Sequence, residues 1–341
     1  RPMDDPKQIE KAQAETEEAV VLLSFAGVQP VSPFDDCTAQ IGRAKVGSTL
    51  SPKELLNVAT LMRASRYTKQ TLLANEEKAA QAPLVCGLAS LLCPTRALEE
   101  EIGAAIVSEE ELADNASPKL ASIRRKIRSA NERIREKLNT YIHSPSFSKY
   151  LQDPIITVRS GRYVLPVKAE NRQNVPGLIH DQSGSGATLF IEPMAVVEIN
   201  NSLREMAAEE REEIERILAQ LSAGVSAHAE ALLENQRLLA ELDFIFAKGA
   251  LSRAMFACQP KLNQEGRILI KRGRHPLIDR EQVVPLDLWI GQDFTSLVIT
   301  GPNTGGKTVT LKTVGLFTLM MQAGLQVPAE LGTELSVFDD V

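Results

Sequence analysis

Apolar positions along the first part of the chain recur at the three- and four-residue spacing of α-helices. Two predicted helices begin with recognisable caps: Asp5 precedes Pro6, and Ser51 is followed three residues later by Glu54, the spacing of a capping box. From residue 5 to residue 111 this pattern predicts a helical bundle. A later helix carries a narrow apolar stripe that we expect to pack on one partner. Its apolar positions are Leu120, Ile123, Ile127, Ala130, Ile134, Leu138 and Tyr141.

β-strand signals replace the helical period between residues 155 and 191. Two runs rich in β-branched residues flank Ser160 and Gly161, a two-residue hairpin signal, and a second pair of runs flanks a Ser-Gly-Ser-Gly turn. We expect a meander of about four strands over this segment. The four runs are 155–159, 162–169, 177–182 and 187–191.

Residues 193–257 contain no proline after the first position and keep a helical spacing of apolar residues. As one helix they would extend for roughly 90 Å, and Gly224 is where we expect a break. Together with the amphipathic helix that precedes the strands, they predict an antiparallel lever arm with the β module at its tip. Beyond this arm the pattern becomes α/β, with strands predicted at 267–271, 287–290 and 296–300.

The composition favours a mainly α fold, because the chain is rich in Ala, Leu and Glu and only 4% aromatic. The formal net charge of −6 means that any nucleic-acid contact must come from local basic patches. The four cysteines lack metal-ligand spacing, and no apolar run reaches the length of a membrane span. We therefore predict a cytoplasmic protein without a membrane partner. The start at Arg1 and the stop after an apolar run predict an internal fragment.

Residues 301–308 match the pattern GxxxxGK[ST] of a nucleotide-binding P-loop, between a predicted strand and a predicted helix at 308–322. They are Gly301, Pro302, Asn303, Thr304, Gly305, Gly306, Lys307 and Thr308. Glycines in such a loop let backbone N–H groups wrap phosphates, Lys307 offers a positive charge, and the Thr308 hydroxyl can ligate magnesium. The motif therefore predicts binding of ATP or ADP together with Mg²⁺.

Hydrolysis of ATP needs an apolar strand that ends in a magnesium-organising Asp and a water-polarising Glu. No such pair follows Thr308. The run 335–340 is interrupted by Ser336 and ends in two aspartates, so we expect a strand and a loop there. The fragment by itself is therefore predicted to lack catalytic residues.

The stretch GPNTGGKTVTLKTVGL at 301–316 closely resembles the P-loop of the MutS family. Two further matches are GSGATLFIEP at 184–193 and RHP at 274–276. The version with Thr304 and Thr308 is similar to the second bacterial branch, MutS-two, an endonuclease-tailed relative that lacks the mismatch-recognition domain. The resemblance extends over nearly the whole chain.

This resemblance implies a mainly α fold with an inserted antiparallel β clamp and a partial α/β ABC-like P-loop ATPase domain. The implied parts are a helical core with the first lever helix (1–154), the clamp (155–192), the returning lever helix (193–258) and the first half of the ATPase domain (259–341). It implies that the full-length protein is a homodimeric, DNA-dependent ATPase and endonuclease. It also implies that Asn303 approaches the γ-phosphate and that Val284 contacts the base; Val309 is expected to bind the nucleotide as well.

Basic residues gather in two places along the chain. The clamp cluster is expected to contact phosphates of nucleic acid, with a solvated hairpin surface as the plainer alternative. It consists of Arg159, Arg162, Lys168 and Arg172. The second cluster lies on the predicted helix after Ala116 and is expected to be a solvated face. It consists of Lys119, Arg124, Arg125, Lys126, Arg128, Arg133, Arg135 and Lys137.

The resemblance to the MutS family implies two functional hypotheses for the intact protein. The first is a clamp-type ATPase that engages branched or duplex DNA and suppresses homologous recombination. The alternative is an ATP-driven rescue factor that grips rRNA or ribosomal protein and splits collided ribosomes. Basic residues do not separate the two, because DNA and rRNA present the same phosphates. A third hypothesis, a structural ATPase of the SMC type, is disfavoured because its P-loop would precede the long helices.

Overall fold

The computed structural model describes residues 1–25, 31–301 and 306–341, with only the backbone described for Lys78. These residues form two compact units. One comprises residues 1–38, 60–96 and 228–341, and the other comprises residues 39–59 and 97–227. The described part is mainly helical and contains two four-stranded sheets, which agrees with the predicted α-rich fold.

The helices begin and end as follows. They are α1 (Pro6–Ser24), α2 (Thr38–Lys45), α3 (Pro52–Leu73), α4 (Glu76–Gln81), α5 (Pro83–Ser90), α6 (Arg96–Ala105), α7 (Pro118–His143), α8 (Pro145–Ser148), α9 (Met194–Ala227), α10 (Ala229–Met255) and α11 (Lys307–Gln322), with a 3₁₀ turn at Ala169–Asn174. Among the described residues, every helix is too short or too polar to cross a lipid bilayer.

The predicted caps form. The Asp5 carboxylate accepts the backbone N–H of Lys7 at 3.0 Å. Ser51 and Glu54 form the reciprocal capping box, because the Ser51 N–H donates to the Glu54 carboxylate at 3.0 Å and the Glu54 N–H donates to the Ser51 hydroxyl at 3.4 Å. Each bond satisfies a backbone donor that has no partner within the first turn.

The first sheet contains β1 (Thr157–Arg159), β2 (Arg162–Lys168), β3 (Gly177–Gln182) and β4 (Thr188–Pro193). Ser160 and Gly161 both have positive φ, 53° and 73°, as a two-residue hairpin between β1 and β2 requires. The predicted meander is wrong, because the strand order is β1-β2-β4-β3 and β4 pairs with both β2 and β3. The more apolar β4 takes the central position, and β3, which carries His180, Asp181 and Gln182, forms an edge.

The core of the second unit joins this sheet to α7 and α9. The predicted apolar stripe of α7 supplies Ala130, Ile134 and Leu138, which are buried in that core. The sheet contributes Leu165, Val167 and Ile191, and α9 contributes Val196 and Ile199. The first sheet is therefore packed onto α7 and α9.

The long helical run after residue 193 is interrupted at His228, which separates α9 from α10 and has φ −108° and ψ 11°. The predicted break at Gly224 is wrong, because Gly224 lies inside α9. A Cβ at Gly224 would lie 2.7 Å from the Leu98 Cδ1 atom, so this glycine permits close packing of α9 against α6.

The second sheet has the order β5-β8-β6-β7, formed by β5 (Lys261–Asn263), β6 (Ile268–Gly273), β7 (Leu286–Ile290) and β8 (Glu334–Ser336). Its core includes Ile270, Leu288, Phe317 and Leu335, and Ile9 of α1 packs there too. Two of the three predicted strands are confirmed.

The third predicted strand, 296–300, is wrong. Val298 is 83% exposed, and the segment carries no regular structure. A strand needs neighbours that satisfy its backbone hydrogen bonds, and no strand in the described ranges pairs with this run.

Candidate functional site

Helix α11 begins at the end of the P-loop motif. Gly306 caps the helix with φ of 78°, a left-handed conformation that glycine adopts readily, and Lys307 is the first helical residue. The Lys307 ammonium donates a hydrogen bond to the carbonyl oxygen of Gly301, so the two described ends of the motif are in contact. The predicted site residues Pro302, Asn303, Thr304 and Gly305 lie outside the described residues.

A pocket of about 400 Å³ lies between the first turns of α11 and the segment between β6 and β7. It brings together Gly306, Val309 and Val284, three residues that the sequence analysis assigned to the nucleotide. Lys307 and Thr308 do not line it, and Thr308 is exposed at the start of the helix. Further lining residues are His275, Ile278, Gln282, Val283, Thr310 and Thr313.

Local hydrogen bonds hold the 274–286 segment over this pocket. The Arg274 N–H donates to the Pro328 carbonyl at 2.8 Å, and the buried His275 accepts the Leu277 N–H at its Nδ1 atom at 3.3 Å. The Asp279 carbonyl accepts the N–H groups of residues 282 and 283, at 3.0 and 2.9 Å. His275 and Gln282 were not predicted as pocket residues; the only sequence signal near them was the RHP match at 274–276.

The residues of the pocket fit a nucleotide. Ile278, Val283, Val284 and Val309 give an apolar wall suited to a flat base, as in other small-molecule sites. The N-terminus of α11 carries the positive end of the helix dipole, which favours phosphate. Gly301 has φ of 143°, and no heavy atom of the described residues beyond its chain neighbours lies within 4 Å of the position that a Cβ would take there.

The four clamp cations all have acceptors within the protein. Arg162 donates to both oxygens of Glu192 at 2.9 and 3.0 Å and to Asn201 at 2.6 Å, and its side chain is only 12% exposed. Arg159 pairs with Asp181 at 3.3 Å and stacks over the Phe190 ring at 4.3 Å.

The other two clamp cations lie away from the β1–β2 hairpin. Lys168 at the far end of β2 donates to the Lys149 carbonyl at 3.4 Å. Arg172 in the 3₁₀ turn donates to the Gly177 carbonyl at 3.3 Å. The structure therefore brings Arg159 and Arg162 together across the hairpin but does not gather all four side chains.

Sequence reasoning missed the buried acid that holds Arg162. Glu192 is fully buried, and besides Arg162 it is bonded by the His180 ring and by the Asn200 amide, the latter at 2.7 Å. The carboxylate is satisfied on all sides, which makes this cluster a structural support between β2, β3, β4 and α9. The GSGATLFIEP match contained Glu192 but did not reveal its partners.

Comparison with known proteins shows which proteins this chain is similar to. No family model matches it. Over 340 residues it is 50% identical to a protein named Endonuclease MutS2 from Acetivibrio thermocellus, and over 341 residues it is 51% identical to one from Alkaliphilus oremlandii. A third, from Clostridioides difficile, is 46% identical over 340 residues. Each match covers 100% of this chain.

Over its whole length the chain is similar to a segment of proteins of the MutS2 family. It spans 43% of the length of these relatives. The family resemblance that the sequence predicted is thereby confirmed.

The basic helix α7 is only partly neutralised by ion pairs. Arg124 pairs with Asp114 and with Glu210, both at 2.7 Å, and Arg128 pairs with the same aspartate at 2.8 Å. Lys119 lies 3.3 Å from the Glu213 carboxylate. Among the described residues, no ion pair engages the remaining arginines and lysine of the helix centre, which are Arg125, Lys126, Arg133 and Arg135.

Proposed function

We propose that this segment binds ATP or ADP with magnesium and belongs to a clamp-and-lever protein of the MutS2 family that acts on DNA. The observation that carries the proposal is the pocket in which Gly306 and Val309 at the start of α11 face Val284. A P-loop sequence, a helix N-terminus and an apolar wall thus converge on one cavity. In this proposal, residues 259–341 are the first half of an ABC-like ATPase domain.

Each part of the pocket has a separate role in the proposal. The apolar wall that includes Val284 and Val309 holds the base, while the N–H groups at the start of α11 and the loop 302–305 hold the phosphates. Lys307 releases the Gly301 carbonyl and moves its charge to the β- and γ-phosphates. Thr308, exposed at the helix start, ligates Mg²⁺, which neutralises phosphate charge when bound.

We propose that the intact protein is a homodimer that hydrolyses ATP and has nuclease activity. It acts on branched or duplex DNA and thereby suppresses homologous recombination. The support is the name Endonuclease that the relatives carry, together with the first sheet packed on α7 and α9. The proposed parts are 1–154, 155–192, 193–258 and 259–341. Ribosome rescue stays an alternative prediction. To decide between the two functions, binding of the intact protein to four-way-junction DNA and to collided ribosomes is compared at one salt concentration. Preference for the junction supports action on DNA, and preference for the ribosomes supports rescue.

Titration calorimetry with ATP and Mg²⁺ tests the nucleotide proposal. We expect Lys307→Ala to weaken ATP binding about 10- to 100-fold, because a hydrogen bond to a charged group contributes roughly 1.5–3 kcal/mol. Lys312→Ala is the matched control, since Lys312 is exposed on the same helix and does not line the pocket. Equal ATP affinity of Lys307→Ala and the unsubstituted chain would refute the assignment of this pocket.

A further inference from the structure

Two cations of α7 share a groove with α9. Lys126 and Arg133 line a cavity of about 390 Å³ together with the hydroxyl-bearing Ser129 and Ser202. They lie seven residues apart, so both project from one side of the helix, roughly 10 Å apart along its axis. The groove therefore offers two positive charges with hydroxyl donors between and beside them.

The positive charges of this groove are only partly offset by its surroundings. Glu198 is the carboxylate among its lining residues, and no salt bridge in the described part of the chain joins it to Lys126 or Arg133. Both cations are exposed. Glu132 and Glu136 of α7 do not line the groove, and neither do Arg125 and Arg135.

The clamp, by contrast, holds its cations internally. Arg162 is bound to the buried Glu192, and Arg159 is bound to Asp181 and stacked on Phe190. Recruiting Arg162 to a phosphate would leave a fully buried carboxylate without its main partner, which costs several kcal/mol. Among the described residues, Lys126 and Arg133 of α7, in contrast to Arg159 and Arg162, therefore have no ion pair that a phosphate would have to replace.

We infer that the α7 groove, defined by Lys126, Ser129, Arg133 and Ser202, binds the phosphate backbone of duplex DNA. Lysine, arginine and serine are the side chains that most often contact phosphate oxygens. No aromatic side chain lines the groove in the part of the chain that the structure describes, so unpaired bases have no surface to stack on. The contact is therefore to the backbone of a duplex and carries no sequence preference. This inference rests on the DNA part of the proposed function.

The test compares two charge-matched double variants of the chain. Lys126→Gln with Arg133→Gln removes both groove cations, and Arg125→Gln with Arg135→Gln removes two exposed cations of the same helix that do not line the groove. Binding to a fluorescent DNA duplex of mixed sequence is followed by anisotropy at several salt concentrations. Circular dichroism checks that both variants keep the helical content of the unsubstituted chain.

We expect the groove variant to bind the duplex at least about tenfold more weakly near 0.1 M salt. The slope of log K against log salt concentration should become less negative by about two, because two phosphate contacts are lost. The control variant should change the affinity only a few-fold. Equal losses in both variants, or none in the groove variant, would overturn the groove assignment. If the unsubstituted chain fails to bind duplex DNA, both the groove and the DNA function are wrong, whereas ATP binding is judged separately by calorimetry. Tighter binding to duplex RNA or to single-stranded DNA would also overturn the inference.

Discussion

Glu213 of α9 illustrates how neighbours decide the state of one carboxylate. Its side chain is fully buried, yet it accepts hydrogen bonds from Arg216 at 2.7 and 3.0 Å and from the Ser117 hydroxyl at 2.7 Å. Lys119 lies 3.3 Å away. The Arg216 hydrogen bond is the largest cause that lowers the pKa of Glu213 from 4.5 to about 2, and it outweighs the opposing effect of burial.

This lowered pKa predicts a pH-dependent stability. Unfolding returns the Glu213 pKa to 4.5, so between pH 4.5 and about 2 the unfolded chain binds the extra proton. The stabilisation is therefore complete above pH 4.5 and is lost as the pH falls towards 2. Urea unfolding followed by circular dichroism measures the free energy of unfolding at each pH. Between pH 4.5 and about 2 this free energy should fall less for Glu213→Gln than for the unsubstituted chain.

The control for this prediction is Glu215→Gln. Glu215 is exposed on the same helix and forms no ion pair within the described residues. The free energy of unfolding of Glu215→Gln should therefore fall in acid as steeply as that of the unsubstituted chain. If Glu213→Gln lost stability in acid as steeply as Glu215→Gln, the hydrogen bonds to Glu213 would not be the cause.

The packing of α1 against α10 belongs to the scale of elements. A Cβ at Gly249 would lie 2.9 Å from the Ala19 Cβ and 3.2 Å from backbone atoms of Ala19 and Val20. The two helices therefore approach each other closely at a position where only glycine fits without a shift. Backbone atoms of a packed helix cannot rotate away as a side chain can.

Gly249→Ala should therefore destabilise the chain by about 1–3 kcal/mol, the usual cost of overpacking a core. Among the described residues, no heavy atom beyond the local helix backbone lies within 4 Å of a Cβ built at Gly87 in α5, so Gly87→Ala should instead gain up to about 1 kcal/mol from helix propensity. Denaturant midpoints of the two variants measure the difference. Stabilisation by both substitutions would show that α1 and α10 do not pack this closely.

At the scale of the whole molecule, the two proposed ligands belong to different units. The proposed nucleotide pocket lies in the unit that contains α11, and the α7 groove lies in the unit that contains the first sheet. A ligand stabilises the native contacts around its own site, and local opening is suppressed there first. The two sites can therefore be distinguished by the segments in which each ligand slows the exchange of backbone amide hydrogens.

Hydrogen–deuterium exchange read by mass spectrometry checks this separation. ATP with Mg²⁺ should slow exchange in α11 and in residues 274–286, and duplex DNA should slow it in α7. Lys307→Ala should lose the first effect and keep the second, which makes it the internal control. Nucleotide protection confined to α7 would contradict the placement of the two sites.

Local signals of the chain predicted a large part of the fold. The caps at Asp5 and Ser51, the apolar stripe of α7 and the hairpin at Ser160 and Gly161 all form, because each depends on residues a few positions apart. The strand order of the first sheet and the break at His228 were not predictable in this way. They depend on which segments compete for a place in the core, and periodicity carries no information about that competition.

The same division holds for the sites. Residue order alone determined the P-loop motif, because its chemistry resides in consecutive backbone N–H groups and in Lys307 and Thr308 at fixed positions. Only the tertiary structure decided that Val284 and Val309 line one pocket, that Arg162 is held by a buried Glu192 and that Lys126 and Arg133 face an open groove. The charge and polarity of a side chain follow from its residue type. The groups that pair with it or line the same pocket are set by contacts between distant parts of the chain.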